Sequence, residues 1–337
     1  MNTENLADLL TKLFRQPRRT TSVLLLGPPG VGKTAIPAQA AANAGKDLVT
    51  FALPTCEAVD LRGLPHLIEE WHGTKCHRRT GWASPMPRAG QGVILLDEVS
   101  SAAPDVQVAA HHLVWAESGS DMGLPDGWHI VLTGNRAQDK TLFRAPSAPL
   151  RNRLTIINLE PELSQWANWA MSNGVSSMVI GFLRWRPELL TAKELPNDGA
   201  FPSPRAWVRA SELLGLSVSA SVERELLVGT VGEGATTEFA AYLRTARELP
   251  AIESIMAKPD KADVPSSPSL LYALTTALAQ WTREKAEPAM AYMKRLPAEF
   301  ALLYVRDIRD HYDITSDKDI REWVSKHKIL FRNDEAA

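Results

Sequence analysis

The sequence predicts a three-layer α/β domain with a five-stranded parallel sheet, followed by an all-helical region. Three observations predict it: five short apolar runs, helical patterns between most of them, and the loss of these runs after Glu160. Strands covered on both faces are continuous apolar runs, and their alternation with helices is typical of a parallel sheet. The 337 residues are too many for one small core and about right for two domains.

The predicted strands are Ser22–Leu26, Leu48–Leu53, Val93–Leu96, Trp128–Leu132 and Leu154–Leu159. Helices are predicted after the first and third strands, at Ala35–Ala44 and Asp105–Glu117. Pro104 suits the first turn of the second of these helices. Another helix is predicted before the first strand, since four leucines recur there at helical spacing: Leu6, Leu9, Leu10 and Leu13. We expect this amphipathic helix to pack on the α/β domain.

The segment Asp60–Gly90 shows no clean period and is rich in Gly, Pro, His and Arg. We expect an exposed, elaborated connection with an insertion. Within it, the loop Trp71–Trp82 mixes aromatic and basic side chains. It is expected either to engage a partner or to be an ordinary solvated loop.

After Glu160 the pattern becomes helical. The predicted helices are Glu162–Ser172, Ser177–Trp185, Pro204–Leu214, Ser221–Leu227, Thr236–Glu248, Leu270–Arg283, Ala286–Lys294 and Glu299–His311. The segment Lys258–Pro268 contains three prolines and is the expected flexible linker. We therefore predict an α/β domain over residues 1–160, a helical domain over 161–257 and a C-terminal helical extension over 258–337.

Composition narrows the function classes. The formal net charge is −2, so no global field attracts the chain to nucleic acid or anionic lipid, although a local basic patch would still fit a DNA-working motor. The two cysteines, Cys56 and Cys76, cannot make a disulfide framework and favour a reducing, cytoplasmic location. We expect no membrane span and no signal peptide.

Residues 27–34 form a motif that predicts a phosphate-binding loop between the first strand and the helix after it. Glycines let a loop wrap an anion without Cβ clashes, and the helix start directs free N–H groups at phosphate. Lys33 would reach the β- and γ-phosphates, and Thr34 would offer its hydroxyl to Mg²⁺. The alternative is a Gly/Pro turn that happens to precede a lysine. The expected binding residues are Gly27, Pro28, Pro29, Gly30, Val31, Gly32, Lys33, Thr34 and Ala35.

Polar residues follow the third and fourth predicted strands, at the sheet edge where α/β proteins bind ligands. Asp97 would hold Mg²⁺ directly or through water, and Glu98 would act as a base or position water. The alternative is that this pair caps the next helix. Asn135 would lie beside the γ-phosphate and help orient the attacking water. Alternatively, Asn135 is an ordinary turn residue, since Gly-Asn is common turn chemistry.

With these motifs the chain resembles the AAA+ ATPases, over about residues 20–250. The matching elements are Gly27–Thr34 (Walker A), Asp97-Glu98 (Walker B), Asn135 (sensor 1), Pro149–Leu154 (the arginine-finger segment) and Phe201–Trp207 (the sensor 2 segment). Within the superfamily the chain is most similar to the MoxR-like branch. This similarity depends on the segment Gly123–Trp128, the elaborated segment before Walker B, and the Ser-Pro-Arg motif at residues 203–205.

The resemblance assigns roles to two arginines. It implies that Arg153 faces the ATP of a neighbouring subunit, where a guanidinium would neutralise charge on the γ-phosphoryl group. Arg151 could take this role instead, and a surface arginine in a weak ion pair is the alternative for both. Arg205 follows Ser203 in the first turn of a helix, where a cation opposes the macrodipole. Phosphates of ATP would explain this placement, and whether that nucleotide belongs to the same subunit stays open. The alternative is an exposed arginine that merely tolerates the position.

The resemblance also implies the biological role. It implies a Mg²⁺-dependent ATPase that assembles into a ring, with six subunits expected, and drives chaperone-like remodelling, activation or assembly of a partner protein. It implies an adaptor or client with a von Willebrand factor A-type domain. One alternative is a DNA- or RNA-stimulated motor, which the near-neutral charge disfavours. The other is a scaffold that binds ATP with little turnover.

Overall fold

The protein is described from a computed structural model. The structure describes residues 3–72, 74–83, 85–116, 123–139, 143–196, 198–216, 218–247, 249–282, 286–309, 311–315 and 317–327. The chain divides into two compact units, Met1–Pro161 and Glu162–Ala337. None of the helices in these ranges has the length and apolar character that crossing a membrane requires.

The first unit alternates helices and strands, as predicted. Its elements are α1 (Thr3–Phe14), β1 (Ser22–Leu26), α2 (Ala35–Asn43), β2 (Asp47–Ala52), α3 (Ala58–Arg62), β3 (Leu64–His72), β4 (Lys75–Ala83), β5 (Gly92–Asp97), α4 (Pro104–Trp115), β6 (Trp128–Gly134), α5 (Ala148–Arg151) and β7 (Leu154–Asn158). Pro104 is the first residue of α4. The predicted end of this helix, Glu117, lies outside the described residues.

Five strands form one parallel sheet in the order β2-β5-β6-β1-β7. Its register aligns Leu95 and Val23 with Val131, so β5, β6 and β1 are direct neighbours. The prediction of a five-stranded parallel sheet is confirmed, with strand ends that differ by one or two residues. Because the strands are parallel, the residues that follow β1, β5 and β6 meet at one edge of the sheet.

Alternate residues of the sheet pack on its two faces, which gives the three layers. On one face, Leu6, Leu10 and Phe14 of α1 share a core with Val23, Leu25 and Leu95. On the other face, Leu24, Ile94 and Leu132 share a core with Val106, Ala109 and Leu113 of α4. Burial on both faces removes the polar alternation, which is why the central strands β1, β5 and β6 are continuous apolar runs. The edge strands β2 and β7 are mostly exposed or half-buried, so the expectation of two covered faces does not hold for them.

The segment Asp60–Gly90 is more regular than predicted. It contains the end of α3 and an antiparallel hairpin in which β3 and β4 pair from Leu64 with Ala83 to His72 with Lys75. The two strands were not predicted, because a strand gives an apolar/polar alternation only when one face is buried. Here Leu64 and Leu67 are 65% and 61% exposed.

The second unit contains helices and, among its described residues, no strand. Its helices are α6 (Leu163–Ser172), α7 (Ser177–Trp185), α8 (Pro204–Leu214), α9 (Ala220–Val231), α10 (Glu233–Ala246), α11 (Ile252–Ala257), α12 (Pro268–Trp281), α13 (Glu287–Met293), α14 (Ala298–Ile308) and α15 (Lys318–Lys326). α11 and α15 were not predicted. The predicted ends Glu248 and Arg283 lie outside the described residues.

Two hydrophobic clusters stabilise this unit. One contains Phe182, Trp207 and Phe239, and the other is built around Tyr292 and Tyr304. α12 contributes residues to both clusters, so the clusters do not separate the domain predicted over 161–257 from the extension predicted over 258–337. The boundary between residues 257 and 258 stays a prediction.

The segment expected to be a flexible linker is held against α13. The Tyr292 hydroxyl donates a hydrogen bond of 2.6 Å to the Asp263 carbonyl, and Ala262 packs against the second cluster. The prolines of this segment remove backbone donors, but its carbonyls still accept hydrogen bonds from side chains.

A buried ion pair ties three helices of the second unit together. Arg184 on α7 donates two hydrogen bonds of 2.6 Å to the carboxylate of Asp307 on α14. It donates a third, of 2.9 Å, to Thr276 on α12. The two charged side chains are only 7% and 1% exposed. A bidentate pair at this depth is expected to be costly to break from one side.

Candidate nucleotide-binding site

The loop Gly27–Thr34, called the cradle below, lies between β1 and α2, and its glycines determine its path. Gly30 and Gly32 have φ angles of 79° and 99°, which a residue with a Cβ adopts only at a cost. At Gly27, a Cβ would lie 2.8 Å from the Leu159 carbonyl oxygen. The N–H of Ile36 donates to the Gly32 carbonyl (2.9 Å), so the helical turn begins inside the loop. The free N–H groups of that turn are the usual phosphate donors of such a loop.

The remaining loop residues hold it against the sheet. Val31 is 7% exposed and packs in the core with β1, while Pro28 and Pro29 are half-buried. Ala35 is the first residue of α2. The predicted loop residues are therefore contiguous at the carboxyl edge of the sheet.

Lys33 crosses from the loop to the end of β6. Its side chain is buried, at 8% exposure. Its Nζ donates to the carbonyls of Gly27 (2.8 Å) and Pro28 (2.9 Å) and to Oδ1 of Asn135 (3.0 Å). An ammonium group has three donors. The structure thus brings Lys33 and Asn135 into direct contact.

Thr34 meets the carboxylate that ends β5. Its Oγ1 lies 3.1 Å from each carboxylate oxygen of Asp97 and donates to them. Hydroxyl and carboxylate oxygens are hard ligands of the kind that Mg²⁺ prefers. The donor set formed by Thr34 and Asp97 therefore fits this ion.

Glu98 has an unusual backbone conformation. With φ 60° and ψ 43° it is left-handed, and it is the one non-glycine residue with a positive φ in the described part of the chain. Its side chain is exposed. Helix α4 begins later and has Ala103 as its N-cap, so Asp97 and Glu98 do not cap that helix. Strained backbone of this kind occurs most often at functional sites.

Two buried hydroxyls that the motif analysis did not single out cross-link the ends of β5 and β6. Thr133 Oγ1 accepts a hydrogen bond from the N–H of Glu98 (3.0 Å) and donates to Oδ1 of Asp97. Ser100 Oγ accepts from the N–H of Asn135 (2.8 Å). Both residues are 0% exposed. In the sequence, Thr133 lies two positions before Asn135, and Ser100 lies two positions after Glu98. A hydroxyl residue so close to a strand end is too common to predict that it cross-links two strands.

Arg153 lies away from this cluster. It directly precedes β7, and the amino ends of parallel strands lie at the sheet edge opposite to the cradle. Its Nη1 donates to the Pro149 carbonyl (3.2 Å) and contacts His111 Nε2 (3.5 Å). Its guanidinium carbon lies 5.6 Å from the centroid of the Trp115 ring, a cation–π distance. Burial and the charge of Arg153 both lower the pKa of His111.

The other two arginines are exposed. Arg151 is the last residue of α5 and is exposed at the same edge as Arg153. Arg205 belongs to the second unit, in the first turn of α8. Ser203 is the N-cap of this helix, and its Oγ accepts from the N–H of Ala206 (3.2 Å). The predicted start of this helix is confirmed.

Part of the first unit is similar to a known protein family. Residues 23–155 match the model of the ATPase family associated with various cellular activities (AAA). No curated protein sequence matches the chain significantly. Among solved structures the chain is similar to a point mutant of Thermotoga maritima RuvB, with 16% identity and a TM-score of 0.40 over 87% of this chain and 88% of that chain. A second point mutant has 15% identity and a TM-score of 0.40 over 90% and 86%.

A further Thermotoga maritima structure, described as the RuvB Holliday junction branch migration motor, has 16% identity and a TM-score of 0.39 over 90% of this chain and 87% of that chain. The family match spans the cradle, both polar strand ends and Arg153. Residues 23–155 are therefore an AAA ATPase family domain, and the chain that carries it is an ATP-hydrolysing enzyme.

Proposed function

We propose that this chain hydrolyses Mg²⁺-bound ATP between the subunits of a ring and uses the cycle to remodel, activate or assemble a partner protein. The observation that carries the proposal is the convergence of Lys33 and Thr34 from the cradle with Asp97 and Asn135 from two strand ends. These side chains supply the cation, the metal donors and the polar amide that phosphoryl transfer needs.

Each residue of the cluster has a proposed role. Lys33 binds the β- and γ-phosphates, and Thr34 and Asp97 hold Mg²⁺, which neutralises negative charge on the phosphates when bound. Glu98 accepts a proton from the attacking water or orients it. Asn135 holds this water beside the γ-phosphate. Backbone N–H groups of Gly27–Ala35 bind the phosphate oxygens.

A neighbouring subunit completes the site in this proposal. Membership of the domain in the AAA family suggests oligomeric assembly, and we propose six subunits. Arg153 lies at the sheet edge opposite to the cradle, so within one chain it is separated from its own phosphates. We propose Arg153 as the finger that stabilises charge on the neighbour's γ-phosphoryl group, with Arg151 as the competing candidate. Arg205 is proposed to bind phosphate from the same or the next subunit.

The proposed partner follows from the branch to which the chain is most similar. The segment Gly123–Trp128 and the Ser-Pro-Arg motif at residues 203–205 favour a MoxR-like, chaperone-like role with a von Willebrand factor A-type adaptor or client. We propose residues 161–257 as the lid domain and 258–337 as a C-terminal extension. Both cysteines, Cys56 and Cys76, are free thiols, which supports a cytoplasmic location.

The first experiment tests hydrolysis. Glu98→Gln removes the carboxylate and keeps the side-chain length, so we expect ATP to bind but turnover to fall by at least about 100-fold. Glu225→Gln is the matched control, since Glu225 is an exposed residue of α9. Steady-state phosphate release and binding of a fluorescent ATP analogue measure the two effects. Unchanged turnover in Glu98→Gln would favour the scaffold alternative.

A subunit-mixing experiment tests the finger. Arg153→Ala subunits should still bind ATP, and in mixtures they should lower the turnover of wild-type neighbours by more than their share. Arg151→Ala is the control and is expected to mix with proportional activity. Mixtures in which Arg153→Ala behaves proportionally and Arg151→Ala does not would reassign the finger.

The partner class is tested last. Glu98→Gln loaded with ATP should retain a protein partner, which mass spectrometry of the captured complex would identify. A nucleic-acid motor would instead show ATPase activity that rises strongly with single- or double-stranded DNA and loses this stimulation at high salt. That result would overturn the chaperone proposal while leaving the ATPase site in place.

A further inference from the structure

Thr133 occupies a central position between the two acidic residues of the site. Its Oγ1 accepts the N–H of Glu98 at 3.0 Å and donates its proton to Oδ1 of Asp97. A second hydroxyl, that of Thr34, reaches the same carboxylate at 3.1 Å from the cradle side. Asp97 is thus held between a threonine of the cradle and a threonine of the neighbouring strand.

In this arrangement the Thr133 hydroxyl both donates and accepts a hydrogen bond. A hydroxyl has one proton to donate and lone pairs that accept. The proton goes to a carboxylate, and one lone pair takes the backbone N–H of the residue whose φ is left-handed. Thr133 is 0% exposed, so water does not substitute for either bond. Without the hydroxyl, Oδ1 of Asp97 keeps only the bond from Thr34, and the N–H of Glu98 loses its partner.

The two hydrogen bonds of Thr133 constrain the carboxylate of Asp97 and the backbone turn that carries Glu98. The bond to Asp97 fixes the rotation of its carboxylate, and therefore the direction in which its other lone pairs point toward Thr34. The bond to the Glu98 N–H ties the left-handed turn to β6, the strand that ends in Asn135. Glu98 and Asn135, the two groups proposed to act on the attacking water, therefore follow strand ends that Thr133 helps to hold together.

We propose that Thr133 is a positioning residue for ATP hydrolysis, whose hydroxyl orients Asp97 and holds the turn that presents Glu98. This inference rests on the proposed roles of Asp97 and Glu98. It goes beyond them by assigning the pre-organisation of both residues to a third, fully buried side chain. Partners of this kind typically affect metal affinity or activity by about 10–100-fold.

The test compares Thr133→Val, which keeps the shape and removes the hydroxyl, with Thr133→Ser, which keeps the hydroxyl. We expect Thr133→Val to lower kcat by about 10–100-fold and to raise the Mg²⁺ concentration needed for half-maximal activity. We expect Thr133→Ser to stay close to wild type. Binding of fluorescent ADP without Mg²⁺ should be the same in all three proteins, because the cradle is unchanged.

Thr275→Val is the matched control in the same chain. Thr275 lies on α12, is 0% exposed, and its hydroxyl has no hydrogen-bond partner among the described residues. This variant makes the same chemical change in a buried position of the other unit, and we expect wild-type kinetics. Should Thr133→Val not fold, Thr133→Cys replaces it, since a thiol is a weak donor and a weak acceptor. Its kcat is then expected to lie well below that of Thr133→Ser.

Two outcomes overturn the inference. One is a kcat in Thr133→Val, or in Thr133→Cys where it is needed, close to that of wild type. The other is a Thr133→Ser variant as impaired as the valine variant, which would assign the effect to packing of the methyl group. Glu98→Gln is measured in parallel: if it retains turnover, the proposed function fails. If Glu98→Gln is inactive and Thr133→Val is fully active, only the role of Thr133 fails.

Discussion

Replacing Glu98 by glycine should stabilise the first unit while it abolishes hydrolysis. Glu98 has φ 60° and ψ 43°, and a left-handed conformation costs a residue with a Cβ about 1–2 kcal/mol. Glycine avoids this cost but has more freedom to lose on folding, which offsets about 0.5–1 kcal/mol. The net expected gain in the free energy of unfolding is about 0.5–1 kcal/mol. The side chain is exposed, so its removal sacrifices no core packing.

The Glu98→Gln variant separates the effect of the backbone strain on stability from the effect of losing the carboxylate. Glutamine keeps the Cβ and the backbone strain, so its free energy of unfolding should equal that of wild type, although both variants should lack turnover. Urea unfolding of the ATP-free chain measures the effect. The transition that belongs to the first unit is the one that ATP shifts in the wild type, because a ligand stabilises the unit that binds it. A glycine variant that unfolds at the same or lower urea concentration than the glutamine variant would refute the reasoning.

Three further predictions concern stability. Asp307→Asn should destabilise the second unit by about 3–5 kcal/mol in urea unfolding, since it leaves the buried charge of Arg184 without its partner. Burial lowers the pKa of His129, so the unfolded state binds this proton more readily. The stability that neutral His129 provides is therefore complete above about pH 6.5 and declines as the pH falls below it, which unfolding at pH 7.5 and 5.5 measures. Gly27→Ala should destabilise the first unit by about 1–3 kcal/mol and weaken ATP binding, because its Cβ would lie 2.8 Å from a carbonyl oxygen.

Each of these three stability predictions has a control variant. Replacing Arg184 and Asp307 together by Met and Leu should recover most of the loss, and a single Asp307→Asn effect below about 1 kcal/mol would contradict the ion-pair argument. His129→Gln should remove part of the pH dependence, and an unchanged slope would show that other groups cause it. Gly229→Ala, where the added Cβ meets no atom within 4 Å, should not destabilise the chain. Equal behaviour of the two alanine variants would contradict the steric argument.

The sheet was predictable because its signal is local. Runs such as Val93–Leu96 are buried on both faces, so their composition alone reports their environment. The hairpin of β3 and β4 was missed for the converse reason: with Leu64 and Leu67 exposed, its sequence carries no alternation to detect. α15 carries Ile320, Trp323 and Val324 at helical spacing, but a helix of nine residues shows this spacing only once, which is a weak signal.

The segments around the arginines show that a sequence predicts short-range features but not long-range contacts. Helix chemistry at Ser203 and Pro204 predicted the start of α8 correctly, because an N-cap and a first-turn proline are short-range signals. The contacts of Arg153 with His111 and Trp115 could not be predicted, since they join β7 to a helix about 40 positions earlier in the chain. Spacing in the sequence contains no information about such a contact.

By itself, the sequence determined the fold class, the glycine-rich loop at Gly27–Thr34 and the match of residues 23–155 to the AAA family model, because such a loop and buried strands are encoded in contiguous residues. Only the tertiary structure decided how the site is held together. It placed Thr133 between Asp97 and the N–H of Glu98, made Glu98 left-handed, and put Lys33 against the end of β6. These contacts join segments 35 to 102 positions apart, and only the register of neighbouring parallel strands brings them within hydrogen-bond distance.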